Sequence, residues 1–223
     1  SKIGVRNGTV KLRAFTPGEH DIALSNGNSL QFRTGTPPPP LEVKGSWTLS
    51  LPAAGESGRS IDLHELISLS DHEDDAVKYF AGTAEYKCRF DVASEQIGPG
   101  NIHQLDLGDV RVLARIELNG QDLGTLWHAP YSVDVSNTLK PGPNELVVRV
   151  TTTWTNRLIG DELRSTRPPK RRGLRSRPLP VDDLMHGKLP NGASTFTTWR
   201  HWLANDPLHP AGLIGPVKVY HGV

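Results

Sequence analysis

The sequence predicts an all-β protein, an antiparallel β-sandwich preceded by a small N-terminal β segment. Three observations carry that prediction. Apolar and polar residues alternate with period two in segment after segment, as they must where a strand buries one face and wets the other. Glycine (22) and proline (18) are both plentiful between these segments, which suits short strands joined by turns. The chain has 223 residues, of which 36% are hydrophobic, enough for one large β core with a small extra piece.

Residues 1–40 form the first unit. Val10, Leu12 and Ala14 alternate with Thr9, Lys11 and Arg13, and Asn-Gly pairs at 7–8 and 26–27 supply hairpin turns. Four prolines, 37 to 40, follow. They hold the chain extended and cannot join a ladder freely, so they mark a linker. Residues 41–223 are the second unit. In "SWTLSL", Trp47, Leu49 and Leu51 share a face. "DLHELISL" (62–69) suggests one short helix, and nothing longer is evident. In "AEYKCRFDV" the shared face is Tyr86, Cys88, Phe90 and Val92; in "RVLARIELNG" it is Val112, Ala114, Ile116 and Leu118. "YSVDV", "NELVVRV" and "PVKVY" repeat the pattern. Cys88, the single cysteine, falls on an inward face and reads as an inert core residue. One cysteine permits neither an internal disulfide nor a cysteine metal cluster.

The totals exclude several functions. The net charge is +1, so bulk charge steers nothing. No apolar run approaches the roughly 18 residues of a membrane span, and no membrane partner is expected. The chain opens Ser1-Lys2-Ile3 without methionine. It therefore reads as a fragment or processed chain, and the lack of a signal peptide says nothing about compartment. No G-x-S-x-G, H-E-x-x-H or P-loop is present, and no acid pair can be placed in a cleft. No catalytic residue is assigned. The acids of "SDHEDD" (70–75) read first as a solvated loop. Clustered carboxylates could also hold a structural calcium ion, although the spacing matches no EF-hand. No other cofactor is expected.

Two patterns suggest binding. "RSTRPPKRRGLRSR" (164–177) is half Lys and Arg with no acid. Its readings are a solvated loop, a groove for an acidic polysaccharide centred on Lys170, Arg171 and Arg172, or a contact with an acidic neighbour. Nucleic acid is not expected, because no aromatic is interleaved for stacking. The second pattern is rings near loops. "ELNGQDLGTLWHAP" (117–130) is a hairpin with an Asn119-Gly120 turn, followed at once by Trp127 and His128, then Tyr131. "TFTTWRHW" supplies Trp199, His201 and Trp202, and Trp154 and Arg157 lie between. Indole faces suit the C–H side of a sugar, and their N–H suits a hydroxyl. Core packing at the end of the sandwich and contact with another domain are the competing readings.

From about residue 45 to the end, the chain resembles the C-terminal part of glycoside hydrolase family 106, the α-L-rhamnosidases. "NRLIGDE" together with "TFTTW-x-HW" carries the specific part of that resemblance. The "NG...G" hairpin and the "L-x-P-G-x-N-x-L" lead-in at 139–146 are also similar to the sugar-binding jelly roll of family 2 glycosidases. The resemblance implies a galactose-binding-like jelly roll, secreted or periplasmic, with the catalytic barrel elsewhere in the parent chain. The expected role is a non-catalytic accessory module that binds a plant or algal polysaccharide or oligosaccharide. The alternative is a structural domain that supports the barrel. The sugar-site candidates are Trp127, His128, Tyr131, Trp154, Arg157, Trp199, His201 and Trp202.

Overall fold

The structure is a computed structural model, and it describes residues 2–6, 9–53, 56–97, 101–164, 185–186, 195 and 201–222. Strands β1 (Lys2–Arg6) and β2 (Thr9–Arg13) pair as one hairpin, β3 (Gly18–Ala23) and β4 (Ser29–Thr34) as another. The Asn26–Gly27 pair closes the second, while Asn7 and Gly8 lie outside the described residues. The proline run has no regular structure and leads into β5 (Leu41–Glu42).

The sandwich follows. Its strands are β6 (Trp47–Ala53), β7 (Glu56–Leu63), β8 (Thr83–Val92), β9 (Ile102–Asp106), β10 (Asp109–Arg111), β11 (Leu113–Leu118), β12 (Gln121–Leu126), β13 (Ser132–Asp134), β14 (Gly142–Thr151), β15 (Gly212–Gly215) and β16 (Lys218–Gly222). The larger sheet runs β12-β11-β14-β8-β6-β7, the smaller β13-β9-β16-β5, and β10 pairs with β15. Every ladder between these strands is antiparallel.

Period-two patterning explains the faces. Tyr86, Cys88 and Phe90 of β8, Ile116 and Leu118 of β11, and Leu146 and Val148 of β14 are buried in one cluster with Leu105 of β9 and Val219 of β16. That cluster runs from Val43 to Val219. Cys88 lies inside it, and burial pushes its thiol pKa up to about 11, so the thiol is inert at neutral pH. The outer face of the larger sheet is a ladder of ion pairs. Arg149 bridges Glu85 (2.8 Å) and Glu117 (3.1 Å), and Glu145 lies between Lys87 (3.0 Å) and Arg89 (3.1 Å). Such exposed pairs add tenths of a kcal/mol each and keep that face wet.

Three local expectations need correction. The alternation places Val112 on the inward face with Ala114, but the residue is 43% exposed. It sits where the chain leaves β10, in one sheet, for β11, in another, and the alternation breaks at that switch. Residues 62–69 are not a helix: they finish β7 and continue irregularly to a single 3₁₀ turn at Leu69–Asp71. Helices form instead at α1 (Asp75–Lys78) and α2 (Thr155–Leu163). The inward face of α2 carries Asn156, Ile159, Gly160 and Asp161, so polar residues conceal its apolar periodicity. Among the described residues no helix is long and apolar enough to cross a membrane.

Candidate functional site

Strand register decides which ring-bearing segments meet. Leu126 of β12 stands opposite Ala114 of β11, which stands opposite Val150 of β14, which stands opposite Ala84 of β8. The segment with Trp127 and His128 leaves this row from β12, and the segment with Trp154 leaves it from β14. Two strand spacings, about 10 Å, separate their points of departure. Sequence places these residues 27 positions apart; the sheet brings them to one end.

The hairpin that delivers Trp127 is built as its turn requires. Asn119 (φ 52°) and Gly120 (φ 80°) both have positive φ, and Leu118 pairs with Gln121 across a two-residue loop. This fits the type I′ turn that matches strand twist. Asn119 is also tied to its surroundings. Its Nδ2 donates to the Thr138 carbonyl (2.9 Å) and to Asn144 Oδ1 (2.8 Å), and its Oδ1 accepts from Glu145 N–H (3.0 Å).

Trp127 is 72% exposed and Trp154 57% exposed. The His128 ring stands edge-to-face against Trp127, with centroids 4.6 Å apart and planes at 87°. His128 Nδ1 lies 2.7 Å from the Ala129 carbonyl, which identifies Nδ1–H as the donor. Tyr131 packs partly against the core, and its hydroxyl donates to the Val112 carbonyl. Val112, exposed, therefore belongs to the same rim.

Helix α2 is tied into this end by polar contacts. Asn156 is buried. Its Nδ2 donates to the His209 carbonyl (2.7 Å), and its Oδ1 accepts from His209 N–H (2.8 Å). Asp161, also buried, accepts from the N–H (2.8 Å) and hydroxyl (2.6 Å) of Thr195. Arg157 reaches inward. Its Nη1 is 3.5 Å from the Tyr79 carbonyl, and its Nε is 3.9 Å from Asp161. So "NRLIGDE" is a clasp that pins the returning segment to the helix. Trp202 is half-buried and lies edge-to-face on His209 at 5.3 Å, while His201 is exposed. Trp199 and the basic residues Lys170, Arg171 and Arg172 lie outside the described residues.

The "SDHEDD" acids have structural engagements. Asp74 caps α1 through the Ala76 N–H (2.8 Å) and pairs with Arg59. Among the described residues no group of three or more His, Cys, Asp or Glu side chains is placed to hold a metal ion. What the Trp127 end offers chemically is two exposed indoles, an imidazole and an aliphatic neighbour. That is a platform for stacking and for dry contact.

Comparison with known proteins agrees with this architecture. The family model described as "Glycosyl hydrolase 2 galactose-binding domain-like" matches residues 44–178. A protein of Formosa agariphila described as "Putative beta-glucuronidase" is 37% identical over 203 residues, 91% of this chain and 17% of that protein. A rhamnosidase from Novosphingobium sp. PP1Y superposes with a TM-score of 0.66 at 34% identity, over 89% of this chain and 16% of that one. A Ruminococcus gnavus β-glucuronidase aligns over 51% of this chain and 21% of its own at 17% identity, with a TM-score of 0.42. The chain thus spans about one sixth of the first two relatives. With the model matching more than half of its residues, this chain belongs to the glycosyl hydrolase 2 galactose-binding domain-like family.

Proposed function

We propose that this chain is the non-catalytic accessory sandwich of a rhamnosidase-like glycoside hydrolase of family 106, and that its Trp127 end contacts glycan. The observation that carries the reading is the exposure of Trp127 beside His128, at the end that also presents Trp154. Leaving most of an indole in water forgoes roughly 3 to 4 kcal/mol of burial, from ~25 cal/mol per Å² over about 150 Å². Trp47, by contrast, is buried to 2%. The family 106 assignment is supported by the "NRLIGDE" segment and by the Novosphingobium rhamnosidase.

The test is affinity electrophoresis through gels that contain rhamnose-rich plant or algal polysaccharides. Trp127→Ala and Trp154→Ala should lose retention while keeping the far-UV spectrum and cooperative melting of the parent. Folded variants that are retained as before would refute the glycan reading.

A second reading has its own observation. Val112 adds exposed aliphatic surface to the rim, which suits a dry contact with the catalytic domain better than a sugar. If that contact is the function, Trp127→Ala in the full-length parent should lower its melting temperature, and the isolated sandwich should show no retention. Activity of the parent on aryl-rhamnosides against aryl-glucuronides distinguishes the two substrate classes named for its relatives.

A further inference from the structure

Away from the aromatic end, a cleft of about 430 Å³ opens between β5, the residues after β7, and the β15–β16 connection. It lies by the edge strands of both sheets, β5 and β7, beside Trp47, which is in register with Cys88. The row Trp47, Cys88, Leu146, Leu118 ends at the Asn119 turn. The cleft is therefore toward the opposite end of the larger sheet from Trp127.

Its floor is fixed. Val43, Trp47 and Val217 are buried, and Val43 N–H donates to the Val217 carbonyl at 2.9 Å, which ties the two sides together. Leu66 and Pro216 wall it with hydrocarbon. The rim is polar: Glu42, Lys44, His64 and Glu65 all line the cleft and are exposed. Lys44 Nζ lies 3.4 Å from Glu42 Oε2, so a donor and an acceptor stand side by side above an apolar floor.

We infer that this cleft is a second binding site, for a single residue of a neutral sugar. A pyranose has an apolar C–H face and an edge of adjacent hydroxyls, and each hydroxyl both donates and accepts. The C–H face matches Leu66, Pro216 and the floor. Two neighbouring hydroxyls match the Glu42–Lys44 pair, one donating to the carboxylate and the other accepting from the ammonium. The volume is within the range of small-molecule sites. On the rim Glu42 and Glu65 outnumber Lys44, with the His64 imidazole beside them, so a uronate would meet more carboxylate than ammonium. The site therefore selects neutral residues, in contrast to the acidic ligand suggested by the basic run. It stands on the cleft alone and does not depend on the glycan reading of Trp127.

The experiment is a ¹H–¹⁵N titration of this chain with neutral methyl pyranosides, and with glucuronate as the charged counter-probe. Saturable shifts are expected at Val43, Lys44, Gly45, Leu66 and the Trp47 indole, with Kd on the order of millimolar. Lys44→Met, at a surface position, should weaken binding about tenfold by removing one charged hydrogen bond. Leu66→Trp should fill the cleft and abolish binding, and Trp127→Ala should leave it unchanged. Glu42→Gln serves as a second rim variant should Leu66→Trp fail to fold. The inference is overturned by any of three results: no saturable shift at these residues with any neutral pyranoside, shifts that persist undiminished in Lys44→Met and Glu42→Gln, or glucuronate binding as tightly as the neutral sugars.

Discussion

Replacing Asn144 by alanine should destabilise the sandwich by about 3 kcal/mol. Its side chain is 1% exposed and makes four hydrogen bonds. Oδ1 accepts from Asn119 Nδ2 (2.8 Å) and from Lys140 N–H (3.1 Å). Nδ2 donates to the carbonyls of Lys140 (2.8 Å) and Gly142 (2.9 Å). At about 0.5 to 1.5 kcal/mol net for each bond, the sum spans roughly 2 to 6 kcal/mol. Lys140 is exposed and Gly142 half-buried, so water can re-satisfy their backbone groups, and Asn119 keeps its bond to Thr138. The lower half of the range is therefore the expectation, about 10 °C in Tm for a chain of this size.

Asn144→Asp sharpens the test. It leaves one acceptor in place but turns the other toward two carbonyls, burying a charge with no donor on that side. At pH 7 it should cost more than alanine. As pH falls, the acid protonates and can donate to one carbonyl, so the penalty should shrink. Urea unfolding at pH 7 and pH 5 measures both trends. A loss under about 1 kcal/mol for Asn144→Ala, or an Asn144→Asp penalty that does not change with pH, would refute the reasoning.

Four further outcomes follow from other contacts. His103 and His221 are buried cross-strand partners with Nδ1 atoms 2.9 Å apart, and burial lowers both pKa values, Asp134 opposing at His103 and His103 adding at His221. The unfolded chain then binds more protons than the folded one below about pH 6.5, so stability should be full above that pH and decline beneath it; a flat urea midpoint between pH 7.5 and 5 would contradict this. Gly120→Val should cost on the order of 1 to 2 kcal/mol through positive φ alone, since an added Cβ there meets nothing; an unchanged Tm would rule that out. Gly160→Ala should destabilise despite its better helix propensity, because its Cβ would fall 2.6 Å from the Tyr79 ring, and shortening Tyr79 to alanine should relieve only part of the defect, since the Tyr79 Cβ that alanine keeps is itself 2.9 Å away. If the basic run binds acidic glycan, serine at Lys170, Arg171 and Arg172 should weaken that binding, which should also fall steeply toward physiological salt.

The strands were legible because one physical rule, a buried face and a wet face, repeats along them. Tyr86, Cys88 and Phe90 alternate with Lys87 and Arg89 in the sequence, and the sheet buries the first set and exposes or half-buries the second. The rule fails where its premise fails. Val112 lies between two sheets, and α2 turns polar residues inward. The fate of each tryptophan depends on the same premise. Trp47 stands in phase with Leu49 and Leu51 and is buried, whereas Trp127 follows the end of its strand and is exposed. Composition treats the two rings alike. The cleft has no signature in the sequence, because its walls come from three separated segments and no local pattern links Lys44 to Leu66 or Pro216.

The two proposed sites also differ in where they sit along the larger sheet, and that separation is testable. On β8 the aromatic end is marked by Ala84 and the cleft by Cys88, four residues or about 13 Å apart along the strand, with further distance across the sheet between β12 and β6. No shared side chain joins them. For a monosaccharide, Trp127→Ala and Lys44→Met should therefore act independently, as sites beyond about 10 Å do. A polymer long enough to reach both sites changes the arithmetic. Its second contact forms at an effective concentration set by the length between them, so losing either site removes more affinity than that site contributes alone. Retention of a long neutral glycan should then fall disproportionately in each single variant, while for a short one the two losses should simply add. Equal proportional losses for short and long chains would mean that the two ends do not act on one glycan.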